Sequence, residues 1–204
     1  MADSYLRQTP LAHIGIEGRS VESRGDAGAA LSERALLHIV DLRGNAKDKT
    51  FASAVKSAIG CALPVKPNTV ATNGDVTALW LGPDEWWVVS AGADVADQLR
   101  AALADHMCAI TVVGDSRACI RIAGPHAHTV LQKGCPLDFH PRAFATGRCA
   151  QSHVAKAAAL IHRLEADSDG DSTFDIYVLR SFADYLWRWL DDAAREFGVA
   201  WIRT

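Results

Sequence analysis

The chain has 204 residues with 21 basic and 24 acidic side chains, a formal net charge of −3. That near balance argues against nucleic acid as a partner, because phosphate binding needs a basic face. A chain of this length buries roughly 70% of its unfolded surface, enough for a core without a metal or disulfide staple.

The first 33 residues are rich in Gly, Ser and charge ("GIEGRSVESRGDAGAALSE") and read as an extended arm with at most one short strand. Residues 34–204 read as one α+β domain. Its first firm strand is "ALLHIVDLRG", Ala35 to Gly44. Asn45 offers an N-cap for the helix "AKDKTFASAVKSAIG", which places Phe51, Val55, Ala58 and Ile59 on one face and stops at Gly60. A Pro-rich loop, "CALPVKPNTVATNGD", leads to a hairpin of "VTALWL" and "EWWVVS" around Gly82-Pro83-Asp84. "ADVADQLRAALADHM" has Val95, Leu99, Ala102 and Leu103 at helical spacing, so the first half reads β-α-β-β-α.

The second half opens with "CAITVVGDSRACIRIAG", a predicted hairpin turning at Gly114-Asp115. A helix begins at Pro125 and closes at Gly134. "RCAQSHVAKAAALIHRLEA" suits two strands, "TFDIYVLRS" one more, and "SFADYLWRWLDDAAREFG" is the clearest helix. This half reads β-β-α-β-β-β-α. Helices interspersed with hairpins indicate an α+β fold, here of duplicated β-β-α-β-β-β-α subdomains with halves at about 34–107 and 108–204.

"LWLGPDEWWVVS" poses a geometrical question. Successive strand residues face opposite ways, so Trp86 and Trp87 cannot enter one core, and each face of this hairpin needs a cover. In the last helix, roughly 100° per residue gathers Phe182, Tyr185, Leu186, Trp189, Ala193 and Phe197 on one stripe. Trp187 then falls off that stripe, toward Asp184 and Asp191, and Trp201 lies in the tail "GVAWIRT". Tryptophan is enriched in interfaces. At least one of Trp86, Trp87, Trp187 and Trp201 is therefore expected to anchor a partner, the competing expectation being that loops or the arm cover these rings.

Motifs for chemistry are sparse. His126 and His128 stand two apart at a helix start, where they share no helix face, so a polar first turn is expected rather than a metal site. Asp167, Asp169 and Asp171 alternate as in a calcium loop, but Ser172 and Val178 replace the required Gly and Glu, which leaves a solvated hairpin tip. No phosphate loop, dinucleotide fingerprint or nucleophile elbow occurs. The five cysteines (Cys61, Cys108, Cys119, Cys135, Cys149) are odd in number with no CxxC pair, and Cys135 is expected as a small buried apolar residue. The start "MADSYLRQTPLAHIGIEG" lacks a secretory pattern, and no apolar run approaches the roughly 20 residues of a membrane helix. A cytoplasmic protein with reduced thiols is expected. It should have no nucleic-acid or membrane partner and no metal or cofactor of its own.

"LWLGPDEWWVVS", "RIAGPHAHTVLQKGCPLDFHPRAF", "GRCAQSHVAKAAALIHR" and "FDIYVLRSFADYLWRWLDDAAREFG" together resemble the gamma subunits of heterotetrameric sarcosine oxidases, over about Ala35 to Gly198. The Gly124 to Phe139 pattern is the most telling. Such subunits are in turn similar to the aminomethyltransferase (T-protein) of glycine cleavage. The resemblance implies an aminomethyltransferase folate-binding-domain-like fold of two swapped, duplicated subdomains. It also implies an alpha subunit as direct partner, carrying NAD and a tetrahydrofolate site, a beta subunit with flavin (FAD, FMN) and the sarcosine site, and a delta subunit. Where the transferases carry paired acids, this chain has Val76, Thr77 and Ala78 with only Asp75 nearby, and Ser90 stands for a strand-end asparagine. Without a carboxylate to handle a folate amine, the resemblance implies a non-catalytic subunit. A free-standing folate-binding protein and a homo-oligomeric scaffold are the alternatives.

Overall fold

A computed structural model describes residues 8–92, 94–166 and 170–203. Its elements in chain order are α1 (Ile16–Arg19), β1 (Ala29–Glu33), β2 (His38–Arg43), α2 (Lys49–Ile59), β3 (Val70–Asn73), β4 (Val76–Gly82), β5 (Glu85–Ser90), α3 (Val95–Ala102), β6 (Ala109–Val112), β7 (Arg117–Ala123), α4 (Ala127–Gln132), β8 (Cys149–Val154), β9 (Ala157–Arg163), β10 (Thr173–Leu179), α5 (Ala183–Ala194) and β11 (Val199–Trp201). They form two sheets, one of five strands ordered β3-β4-β5-β2-β6 and one of six ordered β11-β1-β7-β10-β9-β8. The chain divides into two compact units. One is Leu37–Asp115 with Gly147–Ala150, and the other holds the described residues as far as Leu36, Ser116–Thr146 and those from Gln151 onward.

In the five-stranded unit, alternation separates two apolar sets. Val40, Leu42, Ala78, Trp86 and Val88 join Phe51, Val55 and Ile59 of α2 and Val95 and Leu99 of α3 in one buried cluster. Ile39, Leu79, Trp87 and Val89 point the other way and are buried as well. Asp48 caps α2, accepting from Thr50 N–H at 2.8 Å and Phe51 N–H at 3.4 Å, and Gly60 ends it at φ 76°. The expected cap, Asn45, instead turns the chain just before, accepting from Lys47 N–H at 3.0 Å. The firm strand begins at His38 rather than Ala35, because Leu36 takes a left-handed φ of 55° that no strand accommodates.

Two further expectations change. The Pro-rich loop contains a strand, β3, paired antiparallel with β4. The predicted hairpin at Gly114-Asp115 does not form: β6 pairs with β2, while β7 pairs with β1 and β10. Both flanking runs are β-rich, so sequence alone made them neighbours, but they belong to different sheets. A Cβ on Gly114 would lie 2.6 Å from the Leu37 carbonyl oxygen, which explains glycine at this crossing.

The two units repeat one plan. In chain order β2-α2-β3-β4-β5-α3 corresponds to β7-α4-β8-β9-β10-α5, and the sheet order β3-β4-β5-β2 corresponds to β8-β9-β10-β7. The strand beside β2 is β6, whereas the strand beside β7 is β1, brought from the N-terminal end. β11 then adds outside β1 in parallel. The segment expected as an arm thus supplies a swapped strand, and all five residues of β1 are buried.

Candidate functional site

The four tryptophans singled out from sequence occupy three kinds of place. Trp86 is fully buried in the α2–α3 cluster, its indole N–H donating to the Pro64 carbonyl at 2.7 Å. Trp87, its strand neighbour, is buried on the opposite face. Trp187 corrects the helix reading: it is 1% exposed and lies on the buried stripe of α5, with Ala183, Leu186, Leu190 and Ala194. That stripe sits roughly 100° around the helix from the one drawn through the aromatic residues. Of the bulky rings on the expected stripe, Phe182 and Tyr185 are exposed and in edge-to-face contact at 6.4 Å, whereas Trp189 is half-buried against Gly134. The small residues Ala183 and Ala194 mark the packed side because they permit close approach, a signal hidden by the aromatics. Trp86, Trp87 and Trp187 are buried, which leaves Trp201 as the half-exposed member of the four.

Around Trp201 the N-terminal segment, α5 and the C-terminal end meet. Trp201 stands edge-to-face to Trp187 at 5.3 Å and donates its indole N–H to Asp191 at 2.7 Å. Arg19 lies over its ring at 5.5 Å. His13 bonds Asp184 at 2.9 Å, and Arg180 donates to the Gln8 carbonyl at 2.7 Å. Arg19 of the segment read as an arm therefore covers part of the Trp201 ring.

One buried polar row escaped the sequence reading. Arg121 on β7 grips Asp175 on β10 with two bonds, 2.7 and 2.9 Å, and Arg34 approaches the same carboxylate at 3.6 Å. His162 on β9 is the cross-strand partner of Asp175. Burial pushes its imidazole down to about 4, and its Nδ1 has no hydrogen-bond partner among the described residues. Burial likewise pushes the Cys119 thiol and the Tyr177 hydroxyl well up. The alternating charges in "ACIRIAG" and "TFDIYV" were the available signal, since a charge flanked by inward-facing aliphatics on a strand points to the opposite face. Both Asp175 oxygens are engaged by guanidinium groups and burial holds His162 neutral, so the row ties β7, β9 and β10 together.

The remaining motifs are dispersed. His126 stacks on Phe197 at 4.3 Å, while His128 contacts Thr129 at 3.3 Å and is lowered first by burial and then by Arg163. Cys135 is buried, with its sulfur 3.7 Å from the Ser152 hydroxyl. Asp167 and Asp169 lie outside the described residues, and Asp171 binds Arg24 at 2.9 Å. Ser90 is fully buried and accepts from Gly92 N–H at 3.3 Å, whereas Asp75 is exposed beside the β3–β4 turn. Among the described residues no three His, Cys, Asp or Glu side chains are grouped to hold a metal, and no helix is long and apolar enough to cross a membrane.

A duplicated α+β pair of sheets with one exchanged strand is the fold of glycine cleavage system aminomethyltransferase T from Bartonella henselae, with a TM-score of 0.64 at 16% identity over 97% of this chain and 59% of that chain. Within that class, the chain belongs to the sarcosine oxidase, gamma subunit family, whose model matches residues 43–196. The sarcosine oxidase subunit gamma of Corynebacterium sp. (strain U-96) is 32% identical over 203 residues, covering 98% of this chain and 96% of that protein. A chain of the heterotetrameric sarcosine oxidase from Corynebacterium sp. U-96, solved with pyrrole 2-carboxylate, superposes with a TM-score of 0.81 at 28% identity, covering 97% of this chain and all of that one.

Proposed function

We propose that this chain is the gamma subunit of a heterotetrameric sarcosine oxidase and acts by assembly rather than by chemistry of its own. The observation that carries this reading is the end-to-end match, in sequence and fold, to a subunit of such an enzyme. In that complex the alpha subunit is its direct partner and the beta and delta subunits complete the tetramer. FAD, FMN, NAD and tetrahydrofolate sit in the partner subunits, where sarcosine is oxidised to glycine and its methyl carbon passes to tetrahydrofolate. The place of work is the cytoplasm. The matched order of elements supports a duplication within residues 34–204, with halves at about 34–107 and 108–204, the residues before it lending β1 to the second half's sheet.

Retention of the fold without paired acids near Asp75 supports a structural role, because a folate amine would find no carboxylate to take its proton. The outward Tyr185 of α5 and Phe182 just before it, together with Trp201, are the surface best suited to a partner, since exposed rings give large contact area at low entropy cost. A free-standing folate-binding protein is not favoured. The test is co-expression of the tagged chain with the other three subunits, reading flavin absorbance on the eluate. A yellow eluate at fixed stoichiometry is expected, and a colourless chain eluting alone would overturn the reading.

A further inference from the structure

The N-terminal segment, α5 and the C-terminal end enclose a cavity of about 520 Å³ whose walls include Arg19, Trp187, Arg188, Asp191, Arg195 and Trp201. Most of its charges are answered within the chain. Arg188 holds both oxygens of Asp184 at 3.0 Å, Arg195 approaches Asp191 at 3.7 Å and Asp192 at 3.4 Å, and Trp201 bonds Asp191. Arg19 differs. It is exposed, its guanidinium carbon lies over the Trp201 ring at 5.5 Å from the centroid, and among the described residues no carboxylate pairs with it. A guanidinium held by a ring through cation–π attraction keeps its fork of N–H donors for an anion. The buried Trp187 Nε1–H in the same wall also lacks an acceptor among the described residues.

From this charge pattern we infer that the cavity receives a carboxylate side chain, Asp or Glu, from an acidic segment of a neighbouring subunit, with Arg19 as the fork that grips it and Trp201 as the wall. The inference rests on the subunit reading above. Its geometry favours a carboxylate over a cation, because the carboxylates lining the cavity already have donors and Arg19, among the described residues, has no carboxylate. Arg–carboxylate pairs are bidentate and directional, so the contact would fix orientation as well as add affinity.

The experiment uses the co-expressed complex and measures dissociation of the labelled chain at low and high salt. Arg19→Glu should dissociate about tenfold faster or more at low salt, and the difference should shrink at high salt as charges are screened. Arg19→Lys should fall between wild type and Arg19→Glu, because an ammonium keeps the charge but not the two-pronged grip, whereas Arg203→Glu, which lies on a different cavity, should stay within about threefold of wild type. Thermal melting of the free Arg19→Glu chain should match wild type, since the side chain is exposed. Wild-type dissociation kinetics in Arg19→Glu, or equal acceleration by Arg203→Glu, would overturn the proposed contact and leave the subunit reading standing. Failure of the wild-type chain to assemble would overturn both.

Discussion

At the scale of single residues, Trp187 separates packing from display. It is 1% exposed and packs edge-to-face with Trp201, so Trp187→Ala should cost about 3–5 kcal/mol of folding free energy, read from urea denaturation of the free chain. A loss under about 1 kcal/mol would place the ring outside the core. His162 gives a pH signature. Its folded-state value, about 4, lies below the ordinary 6.5 because burial disfavours the charged ring. The unfolded chain therefore binds the extra proton first. Stability from this group is fully present above pH 6.5 and is lost as pH falls toward 4, by roughly 3 kcal/mol in total. His162→Leu should flatten that limb of the stability–pH curve, and an unchanged slope would exclude His162 as its source. Neither residue's environment was legible from its own neighbours. Trp187 was masked by louder aromatics, and His162 acquires its burial from strands distant in sequence.

At the scale of elements, the sequence marked strands and helices well where one period dominated. The β4–β5 hairpin, the β8–β9 pair and α5 follow the predicted segments closely. It failed where tertiary pairing chose between equal local options. "CAITVVGDSRACIRIAG" has the pattern of a hairpin, yet its two strands add to different sheets. Nor could composition show that a Gly- and Ser-rich leader contains β1, because a five-residue strand owes its stability to its neighbours. β1 pairs with both β7 and β11, and Leu11 upstream is fully buried. Removing residues 1–33 should therefore abolish cooperative melting followed by circular dichroism, because β7 loses a partner and β11 its attachment. A truncated chain with a wild-type melting transition would show that these residues are dispensable to the fold.

At the scale of the whole molecule, the exchanged strand and the repeated order of elements describe a chain with the fold of an aminomethyltransferase. What the sequence made readable was the family, through the order of several weak motifs. The outward face of α5 was not readable, because it depends on which side of the helix packs against the rest of the chain. The most direct test of the central claim is native mass spectrometry of the tagged chain purified from cells that co-express the three companion subunits. We predict one particle containing a single copy of each of four different chains, with flavin retained on the companions. Recovery of this chain only as a monomer or as a homo-oligomer, with the other three subunits assembled without it, would contradict the account.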